Sequence, residues 1–295
     1  MPNTHLENFI ESEVSKVKGI YYPVKAGFFR RMLITKASCS KLHPNPNDEF
    51  CSPKVGPNNS IFADYVKSYS SFKGNMMAAP SLMGSLRAPI TVEKTNPDGY
   101  MILNGHHRWA AASQVGIKKL PIQIVNLTQT KDVQRMLERA SSDRRATLDL
   151  DETVFGSSSD PWLEKALPFP FSRIYKERLR RGIPALFHFL VEQGYDIWVY
   201  SAQYYSLEYI RSYFRRYRIP VTGIVTGMAR KGPNGGDVKT QFENMLASRY
   251  NSTLHIDAHS VLRTYKGSRE YEVYTLRNSQ DGWAAEIMDT VGGRL

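Results

Sequence analysis

Cysteine is scarce in this chain of 295 residues, which contains only Cys39 and Cys51. Two thiols twelve positions apart, with no second pair, predict neither a disulfide framework nor a zinc site. Long apolar runs are also missing, and none approaches the ~20 residues that a membrane span needs. Residues 1–14 are polar and acidic, without the basic and then apolar layout of a signal peptide. We therefore expect a cytoplasmic protein with reduced thiols and no membrane partner.

Positive charge exceeds negative charge, and the excess is concentrated in the first half of the chain. The 39 Lys and Arg residues outnumber the 28 Asp and Glu residues, for a net charge of +11. Residues 1–140 hold 18 basic and 10 acidic residues, or +8, which leaves +3 for the remainder. Such an excess suits a ligand that carries phosphate, either a nucleotide or a nucleic acid. Solubility alone explains it equally well, so both interpretations stay open.

The first 142 residues predict a terminal extension over 1–20 and then a small α+β domain over 21–142. Turn residues, helix starts and β-favouring runs mark its elements. We expect a strand at 28–37, a helix at 59–72, a hairpin of 90–94 with 100–103 around the turn 96–99, a helix at 106–114, a strand at 120–125 and a helix at 130–140. The polar stretch 141–143 is the predicted domain boundary.

Residues 143–295 alternate between strand and helix patterns. We expect strands at 146–150, 197–200, 221–225, 253–256 and 272–276, and helices at 185–193, 206–217, 238–248 and 282–290. This alternation predicts an α/β domain with a doubly wound, parallel sheet. In such sheets the ligand site lies beyond the carboxyl ends of the strands.

The carboxyl ends of these strands carry a set of polar residues that suits phosphate chemistry. The first strand ends in Asp149 and Asp151, two carboxylates whose proximity raises their pKa values or demands a cation. Ser201 follows the second strand, Lys239 opens the helix after the third, and Asp257 follows the fourth. A solvated acidic turn is the simpler interpretation of Asp149 and Asp151 alone. The ordered partners favour a site for a phosphoryl group and a hard divalent ion.

This order of motifs resembles the haloacid dehalogenase superfamily of phosphohydrolases, over roughly residues 145–295. The matching residues are Asp149, Asp151 and Thr153 in the first motif, Ser201 in the second, Lys239 in the third and Asp257 in the fourth. The family has a Rossmann-like, doubly wound sheet, so the resemblance implies the same sheet here, with a minimal cap.

The resemblance also implies a role for each residue. Asp149 would attack phosphorus and form an aspartyl-phosphate, while Asp151 would protonate the leaving oxygen and then activate water. Ser201 and Lys239 would bind the phosphoryl oxygens. Asp149, Asp151 through its backbone, and Asp257 would hold Mg²⁺.

Three features depart from the family pattern. No second acidic residue follows Asp257, so we expect a metal shell that is more filled by water. Lys231 competes with Lys239 for the lysine role, although a position at the start of a helix favours Lys239. The segment 155–181 is too short for a large cap domain, which leaves room for bulky substrates.

A second candidate site is the turn Asn104-Gly105-His106-His107-Arg108, which lies between a predicted strand and a predicted helix. Backbone N–H groups at a helix start attract anions, and an arginine can bind phosphate with two hydrogen bonds. The alternative is an ordinary helix start with two exposed histidines.

The run 34–126 resembles the ParB/sulfiredoxin-like fold, whose Gly-x-x-Arg turn contacts nucleotide phosphates; Gly105 and Arg108 match it. Sulfiredoxin chemistry is excluded because His106 stands where that family needs cysteine. The Gly-His-His-Arg string is similar to the free-serine kinase branch, which implies a base from an early loop. Asp48 or Glu49 could serve, although a surface carboxylate is the simpler interpretation of both.

These patterns together predict a Mg²⁺-dependent phosphomonoester hydrolase with an attached nucleotide-binding domain. Its partners would be a phosphorylated small molecule or a nucleotide such as ATP or ADP. One alternative is a nucleotide-dependent kinase of a small hydroxyl compound, or a bifunctional kinase and phosphatase. Another is a regulatory protein that binds nucleic acid on a phosphohydrolase scaffold; we disfavour it because we see no helix-turn-helix motif and both Asp149 and Asp151 are intact.

Overall fold

A computed structural model describes residues 4–17, 21–74, 86–157, 159–230, 237–277 and 281–293. The chain forms two compact units. The first comprises the described residues up to Asn126, with Arg230, and the second comprises Leu127–Ala229 and the described residues from Asp237 onward. Within the described ranges, no helix has the length and apolarity to cross a membrane.

In the described residues, the first unit packs helices against a mixed sheet. Its helices are α1 (Thr4–Ser15), α2 (Phe28–Met32), α3 (Asn59–Gly74) and α4 (His106–Val115). Its strands are β1 (Tyr22–Pro23), β2 (Thr35–Ser38), β3 (Leu42–His43), β4 (Ile90–Asn96), β5 (Tyr100–Asn104) and β6 (Lys119–Ile124). The strand order is β2-β6-β4-β5-β3, and β1 pairs with β4. The predicted hairpin and the helix that follows it are therefore confirmed.

One expectation for the first unit was wrong. The predicted strand 28–37 is a helix followed by β2, because Phe28 and Phe29 point to solvent and regular pairing with β6 begins only at Thr35. The expected terminal extension contains helix α1, whose Leu6 and Ile10 are buried in the core of this unit. An apolar stripe of helical spacing explains why this helix packs.

The second unit is an α/β unit, as the alternating pattern predicted. Its helices are α5 (Thr130–Leu137), α6 (Phe171–Ile174), α7 (Ile183–Glu192), α8 (Leu207–Arg216), α9 (Val238–Arg249) and α10 (Trp283–Gly293). Its strands are β7 (Arg144–Asp149), β8 (Phe155–Gly156), β9 (Arg178–Leu179), β10 (Asp196–Tyr200), β11 (Gly223–Val225), β12 (Ser252–Ile256), β13 (Ser260–Tyr265) and β14 (Tyr271–Thr275). The main sheet has the order β11-β10-β7-β12-β13-β14, and β8 pairs with β9.

The main sheet is mixed, so the expectation of a purely parallel sheet was wrong. Strands β11, β10, β7 and β12 are parallel, whereas β13 and β14 each run antiparallel to the preceding strand. The reversal occurs in a tight turn after β12, where the Asp257 carboxylate accepts hydrogen bonds from the backbone of His259 and Ser260. Strand β13 was not predicted, since three residues separate it from β12.

Residues 127–142, which the sequence analysis placed before the domain boundary, lie in the second unit. The Thr128 hydroxyl donates to the carbonyl oxygen of Ile224 at 3.1 Å. Val133 and Met136 of α5 are buried in the same cluster as Trp198. These contacts explain why helix α5 belongs with the strands that follow it in sequence.

Candidate functional site

The carboxyl end of β7 is the point at which the order of the main sheet reverses. Strand β10 flanks β7 on one side, with Tyr200 opposite Asp149, and β12 flanks it on the other, with Ile256 opposite Leu148. Neighbouring strands lie about 4.8 Å apart. The register therefore brings Asp149, Ser201 and Asp257 to one edge of the sheet. In open α/β sheets, this switch point is where ligands bind.

Asp149 ends β7 and caps the single π-helical turn Leu150–Val154. Its Oδ1 atom accepts hydrogen bonds from the backbone N–H of Asp151 at 2.7 Å and of Glu152 at 2.9 Å. These two bonds hold the carboxylate in one orientation. The other oxygen, Oδ2, has no hydrogen-bond partner within the described ranges.

Asp151 is held by the loop that follows β10. Its Oδ2 atom accepts a 2.7 Å hydrogen bond from the Ser201 hydroxyl, and the backbones of Ala202 and Gln203 also bond to the carboxylate. Burial raises the pKa of Asp151 above its usual value, the Ser201 bond opposes the rise, and the charge of Asp149 adds to it. Of two adjacent carboxyl groups, Asp151 is thus the one suited to carry a proton.

Ser201 is fully buried and its hydroxyl already has two partners. The hydroxyl donates to Asp151 and accepts a 2.9 Å hydrogen bond from the backbone N–H of Gln203. A phosphoryl oxygen would therefore compete with Asp151 for the hydroxyl proton. This geometry makes Ser201 a hydrogen-bond partner of Asp151 as well as the predicted phosphate contact.

We expect Ser201→Ala to move the descending limb of the pH profile of phosphate-ester hydrolysis to higher pH. The Ser201 bond lowers the pKa of Asp151, so its loss raises that pKa and keeps Asp151 protonated at a higher pH. Loss of the bond should also lower the maximal kcat/KM by about tenfold. The measurement is kcat/KM against pH, with Ser248→Ala on the exposed side of α9 as the control. A limb that stays in place would contradict the role of Asp151 as the acid.

Asp257 keeps its negative charge at the edge of the sheet. Burial raises the pKa of Asp257. Hydrogen bonds from the backbone of His259 and from Ser260 together lower this pKa by more than burial raises it, so the net shift is downward. No group of three or more His, Cys, Asp or Glu side chains in the described residues could hold a metal ion. The predicted set of Asp149, Asp257 and the backbone oxygen of Asp151 contains only oxygen donors, and its chemistry fits a hard ion such as Mg²⁺.

Lys239 lies in the first turn of α9, where Asp237 caps the helix. Its side chain is exposed, and its ammonium group lies 3.9 Å from the Glu243 carboxylate one turn along the same helix. In this conformation the lysine pairs within its own helix. Lys231, the competing lysine, lies outside the described residues.

The Gly-His-His-Arg turn opens α4 as predicted, directly after Asn104 at the end of β5. Gly105 precedes the helix with φ +104, a conformation that favours glycine. A Cβ atom there would lie 2.9 Å from the Arg108 guanidinium and 3.2 Å from Ile90. The position therefore needs glycine for both its backbone angle and its space.

The two histidines of this turn accept hydrogen bonds from nearby loops. His106 Nε2 accepts from the backbone N–H of Asn45 at 3.3 Å, and His107 Nε2 accepts from that of Asn58 at 2.9 Å. The Phe50 ring stacks on His106 and meets His107 edge-on. Burial lowers the pKa of His106 to about 4 and also lowers that of His107. Both rings are therefore neutral at pH 7 and hold loops in place, a role that the sequence did not predict.

The structure also brings Asp48 to this turn. Its Oδ1 atom lies 3.7 Å from His106 Nδ1 and accepts a 2.9 Å hydrogen bond from the backbone N–H of Phe50. Glu49, the other candidate base, is exposed. Arg108 donates to the carbonyl oxygens of Ala88 at 2.5 Å and Pro89 at 3.3 Å, so it supports the chain that enters β4.

Comparisons with known proteins bear mainly on the first unit, because the matched segment 73–140 enters the second unit only from Leu127 onward. Residues 73–140 match the family described as ParB N-terminal domain. No curated protein matches the chain. The chain is also similar to two structures of the C-terminally truncated chromosome-partitioning protein ParB from Caulobacter crescentus. The one complexed to the centromeric parS site is 22% identical over 36% of this chain and 46% of that chain, with a TM-score of 0.22.

The second ParB structure, complexed with CTP-gamma-S, is 27% identical over 36% of this chain and 58% of that chain, with a TM-score of 0.23. The matches thus span about half of the length of each ParB chain, and these scores do not establish a shared overall fold. The family match includes Gly105 and Arg108 and ends before Asp149. The segment 73–140 is thus similar in sequence to the ParB N-terminal domain.

Proposed function

We propose that the second unit hydrolyses phosphomonoesters through an aspartyl-phosphate on Asp149. One observation carries this proposal: the π-helical turn presents two carboxylates at the switch point of the sheet with different hydrogen-bond partners. Asp149 Oδ1 is fixed by two N–H groups and Oδ2 is available, whereas Asp151 has a raised pKa. A nucleophile beside a proton donor is what a covalent phosphohydrolase requires.

In the first step, Asp149 Oδ2 would form a bond to phosphorus as the bond from phosphorus to the ester oxygen breaks. Asp151 would give its proton to that oxygen, so that the alcohol leaves uncharged. In the second step, water would attack phosphorus, Asp151 would take the proton of the water, and the bond from Asp149 to phosphorus would break. The products are inorganic phosphate and the starting enzyme, so the cycle balances.

Mg²⁺ would be held by Asp149, Asp257 and the backbone oxygen of Asp151. When bound, it would neutralise negative charge on the phosphoryl oxygens and so allow an anionic nucleophile to approach. Without a cation, Asp149 and Asp257 would repel the substrate, since the pKa of Asp257 is lowered.

The test is a screen of the full chain against phosphorylated metabolites and nucleotides, with release of inorganic phosphate as the measurement. We expect release that requires Mg²⁺ and stops with EDTA. If no compound yields more phosphate than it does with the Asp149→Asn variant, the proposal is wrong.

A second candidate function concerns the first unit, which we propose binds a nucleotide or a nucleic acid. The match of residues 73–140 to the ParB N-terminal domain supports this binding alternative more directly than it supports hydrolysis. The helix start at Gly105, within the more basic half of the chain, suits a phosphate group. Nucleic acid, disfavoured from the sequence, therefore has to be tested beside nucleotides. The kinase alternative adds Asp48 as the base, which the contact with His106 supports.

We expect Arg108→Ala to weaken nucleotide binding by about tenfold to a hundredfold, because it removes a charge-assisted contact to phosphate. The measurement is calorimetric titration of the full chain with ATP, ADP, CTP and GTP. Arg139→Ala, an exposed arginine of the second unit, is the control. Unchanged binding by Arg108→Ala would contradict this site. Binding of a DNA duplex with a steep salt dependence, in the absence of nucleotide binding, would favour the nucleic-acid alternative.

A further inference from the structure

Tyr205 lies in the loop that holds Asp151, four residues after Ser201. Its ring packs edge-on against Phe155 at a centroid distance of 6.1 Å. The same ring lies nearly parallel to that of Tyr209, at 6.3 Å and an interplanar angle of 3°. Phe155 directly follows the π-helical turn that contains Asp151. Through Phe155, the ring therefore belongs to the same local structure as the π-helical turn.

The neighbours of Tyr205 are themselves held in place. Tyr209 packs on the Tyr175 ring at 5.0 Å, and its hydroxyl donates to the Glu177 carboxylate. Phe155 also contacts Tyr213, whose hydroxyl donates to the carbonyl oxygen of Glu177 at 3.0 Å. Tyr205 thus belongs to a fixed cluster of aromatic rings, and fixed rings bind a planar group at a small entropic cost.

Tyr205 combines partial exposure with proximity to Asp151. Tyr205 is only partly buried, unlike the fully buried Tyr213. Burial raises the pKa of the Tyr205 hydroxyl, and the charges of Glu177 and Asp151 raise it further, which requires that Asp151 be near. The phenol therefore stays neutral at pH 7 and presents an aromatic surface with a hydroxyl group.

We propose that Tyr205 determines substrate specificity at the Asp149 site by stacking on the planar base of a nucleoside leaving group. Nucleoside monophosphates are then preferred over sugar phosphates. This inference rests on the hydrolase function proposed above. In that function Asp151 protonates the leaving oxygen, so the leaving group must occupy the space next to Asp151. Tyr205 supplies a partly exposed aromatic ring near Asp151, and stacking is favourable for any nucleobase.

The test compares adenosine 5′-monophosphate with ribose 5-phosphate, whose leaving groups share the same ribose 5′-hydroxyl and differ in the base. Full-length wild type should show a higher kcat/KM for the nucleotide. Tyr205→Ala should lower kcat/KM for the nucleotide by about tenfold and leave that for ribose 5-phosphate within about twofold. Tyr205→Phe keeps the ring and should retain the preference. Tyr271→Ala, an exposed tyrosine on β14, is the control and should change neither value.

A ratio of the two kcat/KM values that is the same in wild type and Tyr205→Ala would overturn the inference and leave the hydrolase function standing. Absence of hydrolysis of every phosphate ester by wild type would overturn the hydrolase function and the inference together. If Tyr205→Ala does not fold, inhibition of the wild-type enzyme still tests whether the site prefers a base. Adenosine should then inhibit hydrolysis at lower concentration than ribose does, and equal inhibition would overturn the inference.

Discussion

Replacement of Asp149 by asparagine should lower phosphatase turnover by several orders of magnitude while the fold stays intact. The variant loses the anionic Oδ2 atom, which is the proposed nucleophile. It keeps a carbonyl oxygen that can accept the two hydrogen bonds that Oδ1 now accepts from the backbone N–H groups of Asp151 and Glu152. The π-helical turn should therefore form as before, and the loss would report on chemistry.

The measurement is release of inorganic phosphate from the best substrate, together with the thermal unfolding temperature of each variant. Asp289→Asn, an exposed position on α10, is the matched control and should keep full activity. The sample of the Asp149→Asn variant must be free of wild type and of deamidation back to aspartate. Turnover near that of wild type by such a sample would rule out the covalent mechanism.

Replacement of Asp151 by asparagine should have the second largest effect, and its size should depend on the leaving group. Proton transfer by a positioned side chain contributes about 10²–10⁴-fold, so kcat/KM for an alkyl phosphate should fall by that factor. For p-nitrophenyl phosphate, whose leaving group departs as a stable anion, kcat/KM should fall much less. The side-chain amide oxygen of the Asp151→Asn variant can still accept the hydrogen bond from Ser201, which should preserve the loop after β10.

The comparison of the two substrates separates acid catalysis from a structural role. Because kcat/KM covers steps up to the first irreversible one, it reports on protonation of the leaving oxygen. Turnover should be limited by the second step, in which Asp151 takes a proton from water, so the aspartyl-phosphate should accumulate and give a burst of nitrophenol. Equal losses for both substrates would indicate that Asp151 only supports the structure.

Much of the local structure was predictable from the sequence. The turn Asn96-Pro97-Asp98-Gly99 joins β4 and β5, and Gly105 opens α4. The alternation after residue 143 predicted most strands and helices of the second unit. These features depend on neighbours in sequence, because turn geometry, helix starts and apolar periodicity are local properties of the chain. The carboxylate pair of Asp149 and Asp151 was visible for the same reason.

The strand partners, and with them the details of both candidate sites, were decided by tertiary structure. Periodicity shows which face of a strand is buried but not the direction of its neighbour, so β13 was missed and β14 was expected to be parallel. Burial raises the pKa of Asp151, and its carboxylate accepts a hydrogen bond from Ser201, which lies fifty residues away in sequence. Both features depend on how distant parts of the chain pack.

The first unit shows the same division between local and long-range information. The sequence identified the string Gly-His-His-Arg and the strand-to-helix turn that contains it. Packing decided that His106 and His107 are neutral acceptors, and that Asp48 lies beside His106. Their pKa values depend on burial, and burial depends on which distant segments fold over a residue. The sequence by itself therefore determined which chemical groups are present and their local conformation, whereas tertiary structure determined their protonation and their partners.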